Sequence, residues 1–88
     1  METVLAHRQP DADQAEAEDI ANAAADALRG RLAPDGFWID RERGSYAYAF
    51  PTGTSTAEAR TALLEVLDQV APADASKPSW QRWLAVED

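Results

Sequence analysis

Between Gly44 and Pro51 the chain reads Ser-Tyr-Ala-Tyr-Ala-Phe, a strict alternation of aromatic rings and alanines. Period two is the period of a β-strand, so Tyr46, Tyr48 and Phe50 share one side while Ala47 and Ala49 share the other. The preceding Phe37–Asp40, Phe-Trp-Ile-Asp, reads as a partner strand, with Arg41–Gly44 as the connection. The loop length of this hairpin decides which side the rings face. A two-residue loop pairs Arg41 with Gly44, setting Ile39 against Tyr46 and Phe37 against Tyr48, but Glu42 and Arg43 are poor at the positive φ of a type I′ turn. A three-residue loop places Gly44 in the left-handed position of a G1 bulge and suits the turn residues better. It pairs Arg41 with Ser45 and sets Trp38 opposite Tyr48. Phe37, Ile39, Ala47 and Ala49 then form a thin layer for helices to dock on, and Trp38, Tyr46, Tyr48 and Phe50 form an open aromatic face. A loop of two or four residues returns the rings to the core.

Two helices flank the hairpin. Upstream, Asp11 with Gln14, or Asp13 with Glu16, can act as a capping box. Ala17, Ile20, Ala21, Ala24, Ala27 and Leu28 then recur at helical spacing as a narrow apolar stripe, and Gly30 supplies a stop. Downstream, Ser55 and Glu58 form a clear capping box, and Ala59, Leu63, Val66, Leu67 and Val70 form the stronger stripe before Pro72. At about 1.5–3 kcal/mol for each large side chain fully buried, this second stripe anchors the core. Ala33–Gly36, Ala-Pro-Asp-Gly, has turn chemistry, with glycine available for positive φ. Residues 1–10 read as an N-terminal tail or short edge strand, residues 72–78 as a linker, and residues 11–88 as one small α+β domain. Trp80–Val86 fits a helix or a strand.

If both chain ends are strands, the order is β-α-β-β-α-β, a ferredoxin-like two-layer sandwich of four antiparallel strands under two helices. That is the favoured architecture. The alternative is a helix, hairpin and helix followed by a C-terminal helix. Only 15 of the 88 residues are Leu, Ile, Val or Phe, against 19 alanines, so the core is expected to be small.

Composition narrows the function classes. Sixteen acids against eight Lys and Arg give a net charge of −8, and no segment is a basic patch. Direct binding to nucleic acid, which draws on Lys and Arg at phosphates, is therefore not expected. The absence of cysteine excludes disulfides and thiolate metal sites. No long apolar run suggests a membrane span, and the chain reads as cytoplasmic. His7, the one histidine, lacks a companion ligand and reads as a tail residue. Asp11, Asp13, Glu16, Glu18 and Asp19 lack the spacing of a calcium loop and read as a dipole-matched helix start. No phosphate-cradling glycine loop is present. No enzyme, cofactor or metal is expected.

Arg43–Phe50, Arg-Gly-Ser-Tyr-Ala-Tyr-Ala-Phe, resembles the RNP1 stretch of RNA-recognition motifs at Arg43, Gly44 and Phe50. Ser45, Tyr46, Ala47 and Tyr48 depart from its middle, so the rings stand one position out of phase, and the acidic balance opposes the RNA binding that the likeness implies. The leading expectation is a non-enzymatic interaction or regulatory module. Its contact residues would be Trp38, Tyr46, Tyr48 and Phe50, with Trp80 and Trp83 as further aromatic anchors, and its partner a second copy or a larger protein. The alternative is an acidic inhibitor that imitates nucleic acid, using Asp11, Asp13, Glu16, Glu18 and Asp19. A small-molecule ligand ranks third.

Overall fold

A computed structural model describes residues 2–71 and 79–87. The elements run β1 (Glu2–Arg8), α1 (Gln14–Ala27), β2 (Phe37–Asp40), β3 (Ser45–Phe50), α2 (Thr56–Val70), a 3-10 turn (Ser79–Arg82) and β4 (Leu84–Val86). The sheet order is β2-β3-β1-β4, with every neighbouring pair antiparallel. The chain is thus a small α+β protein compatible with a two-layer sandwich, and the β-α-β-β-α-β order is the one favoured from the sequence. β1 is neither a tail nor an edge strand. It lies between β3 and β4 and pairs along its length with β3 from Glu2↔Phe50 to His7↔Ser45. The linker and the Pro72 helix stop expected over residues 72–78 lie outside the described residues.

The helices start where their caps predict. The Asp13 side chain accepts from the Glu16 N–H at 3.0 Å, and Ser55 Oγ accepts from the Glu58 N–H at 3.1 Å. Each bond satisfies one of the amides that a helix start leaves without an intrahelical partner. α1 buries Ala17, Ile20, Ala21 and Ala24; α2 buries Ala59, Ala62, Leu63, Val66 and Leu67.

The hairpin register corrects the favoured expectation. Phe37 pairs with Tyr48, Trp38 with Ala47, Ile39 with Tyr46 and Asp40 with Ser45. The loop is therefore the four residues Arg41–Gly44. Gly44 takes φ +65° as its last member, and the Asp40 carboxylate accepts from the Arg43 N–H at 3.2 Å. An even loop puts Phe37, Ile39, Tyr46, Tyr48 and Phe50 on one side, and that side is the core. The Phe37 and Tyr48 rings stand 5.0 Å apart, and Tyr48 donates its hydroxyl to the Ala21 carbonyl of α1 at 2.8 Å. Tyr48 is fully buried, and burial pushes its phenol far above the usual tyrosine range.

Volume explains the choice. α1 offers the sheet mainly alanines. Had Ala47 and Ala49 faced it, small residues would have met small residues and left voids that packed interiors do not tolerate. The rings fill the space that the alanine stripe leaves. The 33–36 turn also differs from expectation: its positive φ belongs to Asp35, at +54°, not to Gly36. Gly36 is required for close approach, because a Cβ there would lie 2.6 Å from the carbonyl oxygens of Ala33 and Ala49.

Candidate interaction surface

With the rings under the helices, the opposite side of the sheet is defined by its alternate residues. The pairings arrange them in cross-strand rows. Trp38, Ala47 and Leu5 form the middle row, which Glu87 extends beside β4. Asp40, Ser45, His7 and Ala85 form the row on one side. Ala49 and Thr3 form the row on the other. Ala47 and Ala49 are buried at 2 % and 1 % exposure, yet neither belongs to the core cluster under the helices. They point to the outer side but are covered by their neighbours and present almost no surface. Trp38, paired with Ala47, is 50 % exposed, the exposed large hydrophobic residue among those described.

The carboxylates on this face each have a side-chain partner. His7 Nε2 lies 2.7 Å from Glu87 Oε2 at the β1–β4 side. Arg43 Nε lies 3.7 Å from Asp40 Oδ2 at the β2 side. Both contacts are solvent-exposed and contribute little to stability. His7, expected on a tail, is instead an outward residue of an inner strand.

The other expected contact residues lie elsewhere. Tyr46, Tyr48 and Phe50 are in the core. Burial raises the Tyr46 phenol above its ordinary pKa, with nearby Glu18 adding to the shift. Trp80 is buried, and its indole N–H donates to Asp68 of α2 at 2.8 Å. Trp83 is partly buried and donates to Glu16 of α1 at 2.7 Å, with the Arg82 guanidinium 5.3 Å from its ring centre. Trp80 lies within the 3-10 turn and Trp83 directly after it, and together they tie this segment to both helices. They are internal clamps, so of the six aromatics expected at an interface only Trp38 stands free on the surface. Leu5, Ala47 and Ala49 are the members of the face that sequence reasoning did not assign there. Their signal was the bulk-against-alanine complementarity between β3 and α1.

The acidic residues are likewise engaged within the fold. Asp13 caps α1, Glu16 holds Trp83, and Glu18 receives a two-pronged contact from Arg41, with both N···O distances 3.0 Å. The Arg41 hydrogen bonds, then that from Gln14, lower the Glu18 pKa. This tie fixes the hairpin loop to α1. Asp11 and Asp19 remain exposed. Among the described residues no group of three His, Asp or Glu is placed to hold a metal ion, and no helix is long and apolar enough to cross a membrane.

A scan against protein-family models, a search of curated proteins and a search of solved structures each give no match.

Proposed function

We propose that this protein is a non-enzymatic interaction module that binds another protein through the outer face of its sheet. The observation that carries the proposal is Trp38. A tryptophan half in water, in one row with Leu5 on the outer face, is an anchor of the kind that protein interfaces use at their centres. An exposed aromatic ring gains by desolvation when a partner covers it.

The test is photo-crosslinking in the native host. A photoreactive residue at Thr3, exposed on the outer face, is expected to give a protein adduct. The same residue at Thr61, exposed on α2, is expected to give none. Adducts from Thr61 alone would reject the proposal and favour the acidic helix layer as the contact, the arrangement that an imitator of nucleic acid requires. Binding through that layer would also weaken steeply as salt is raised, while binding through the sheet face would not.

A further inference from the structure

We infer that the free edge of β2 pairs with itself: the β2 strands of two copies of this chain align antiparallel about a two-fold axis and join two sheets edge to edge. The inference concerns the edge of the sheet and stands independently of what its outer face binds. Backbone parity is the first support. The Ala49 N–H donates to the Gly36 carbonyl at 2.6 Å, and the Arg8 N–H to the Gly44 carbonyl at 2.7 Å. In an antiparallel ladder the backbone groups of successive residues point alternately toward a neighbour and away from it. Carried along the registers, these bonds aim the N–H and C=O of Trp38 and Asp40 at β3, and those of Phe37 and Ile39 away from it. β2 is the outermost strand on that side, and among the described residues no other group bonds to the Phe37 or Ile39 backbone. The edge therefore presents two N–H and two C=O groups at ladder spacing, which another extended strand satisfies. At the opposite edge β4 is shorter, and its Leu84 carbonyl accepts from the Gln9 side-chain amide at 3.4 Å.

Self-complementarity selects a second copy as the strand. One symmetric register engages all four groups: Phe37 opposite the partner's Ile39, and Ile39 opposite the partner's Phe37. Trp38 then falls on the axis opposite the partner's Trp38, at a non-hydrogen-bonded position, where cross-strand side chains stand closest and aromatic pairs stabilise a sheet. Its half-exposed ring is thereby covered on one side. Phe37 and Ile39, both only partly buried, meet each other's counterparts on the helix side. Asp40 falls opposite the partner's Gly36, so no carboxylate opposes another in the ladder. An unrelated strand would satisfy the same four groups yet carry an open edge of its own, whereas a second copy closes both edges at once. The contact is only four residues long in each copy, so the pair is weak, with a dissociation constant on the order of 0.1 mM.

Sedimentation equilibrium of the purified chain tests the inference. Between about 10 µM and about 1 mM the mean mass should climb from the 9.6 kDa of one chain towards twice that value. Ile39→Pro removes an outward N–H, a position at which an edge strand accepts proline, and should weaken association by about tenfold or more with circular dichroism unchanged. Val86→Pro makes the same change at the β4 edge and should leave association as it is. The chain has no cysteine, so Trp38→Cys reads the register without relying on either proline variant. With its two Cα atoms about 4.5 Å apart across the axis, it should form an intermolecular disulfide under mild oxidation, and Ala85→Cys on β4 should not. A wild-type chain still at the single-chain mass at about 1 mM overturns the inference. So does a folded Ile39→Pro chain that associates like the wild type, or equal crosslinking of the two cysteine variants. Thr3 lies on β1, with β3 between it and β2, so its photo-adduct reports on the outer face alone and either proposal can fail without the other.

Discussion

Single side chains in this protein carry consequences out of proportion to their number, because so few of them are large. Tyr48 is the clearest case. Its ring fills the space left by the α1 alanines, and its hydroxyl reaches the Ala21 carbonyl. Tyr48→Phe keeps the volume and removes one hydrogen bond. The Ala21 carbonyl retains its place in the helix ladder, so the expected loss is about 1 kcal/mol in urea unfolding. The same burial sets the alkaline limit of the fold. Both phenols are held above their ordinary value near 10, so the unfolded chain loses its tyrosine protons first. Above that pH the native state binds more protons than the unfolded one, and stability must fall as pH rises. Alkaline unfolding and the rise of the tyrosinate absorbance band are expected to coincide. A tyrosinate band that develops fully while circular dichroism stays native would contradict the buried placement. Gly36 is the second such residue. An alanine there meets backbone oxygens, which cannot rotate away, so Gly36→Ala should cost roughly 1–3 kcal/mol.

Among the elements, the helices were the most legible and the sheet faces the least. Asp13 and Ser55 lie where their side chains must cap, and their local chemistry needs no knowledge of the rest of the chain. Ser55→Ala should lower stability by about 1 kcal/mol in thermal or urea unfolding. The hairpin was legible as a hairpin, and Gly44 as its left-handed residue. Its loop length was not, because a glycine at positive φ serves the end of a three- or a four-residue loop equally well. One residue of loop length reverses every side chain of the strand. What decided the register was long-range: bulk on β3 matched alanine on α1, a relation between segments more than twenty residues apart. β1 was illegible for a similar reason. Thr3–Arg8 is only partly apolar because the outward Thr3 and His7 are polar, although the strand lies inside the sheet. Its central place predicts that a chain lacking residues 2–8 will not fold, since β3 and β4 each lose a ladder. Native circular dichroism from that truncation would refute the sheet order.

At the scale of the molecule, the governing fact is the uneven distribution of charge. The carboxylates lie mainly on the helix layer, several of them tied to Arg41, Trp80 or Trp83, while the sheet's outer face carries few charges. Such an arrangement makes the folded state repel itself within one layer, and the unfolded chain relieves that repulsion by expanding. The sequence disclosed the total of −8 but not its segregation, which follows from the sheet order and the register. The consequence is a fold stabilised by salt. Urea unfolding is the suitable measurement, because guanidinium is itself a salt. Between about 0.05 and about 0.5 M sodium chloride the unfolding free energy should rise by on the order of 1 kcal/mol, as screening shortens the reach of the acid–acid repulsion. Trp38→Asp should retain that rise, since the repulsion lies within one chain. Any salt dependence found in the wild type and absent from this variant would instead belong to association. A folded variant whose stability falls with salt would mean that the Arg41–Glu18, Arg43–Asp40 and His7–Glu87 contacts outweigh the repulsion, and the helix layer would then not be the strained side of the molecule.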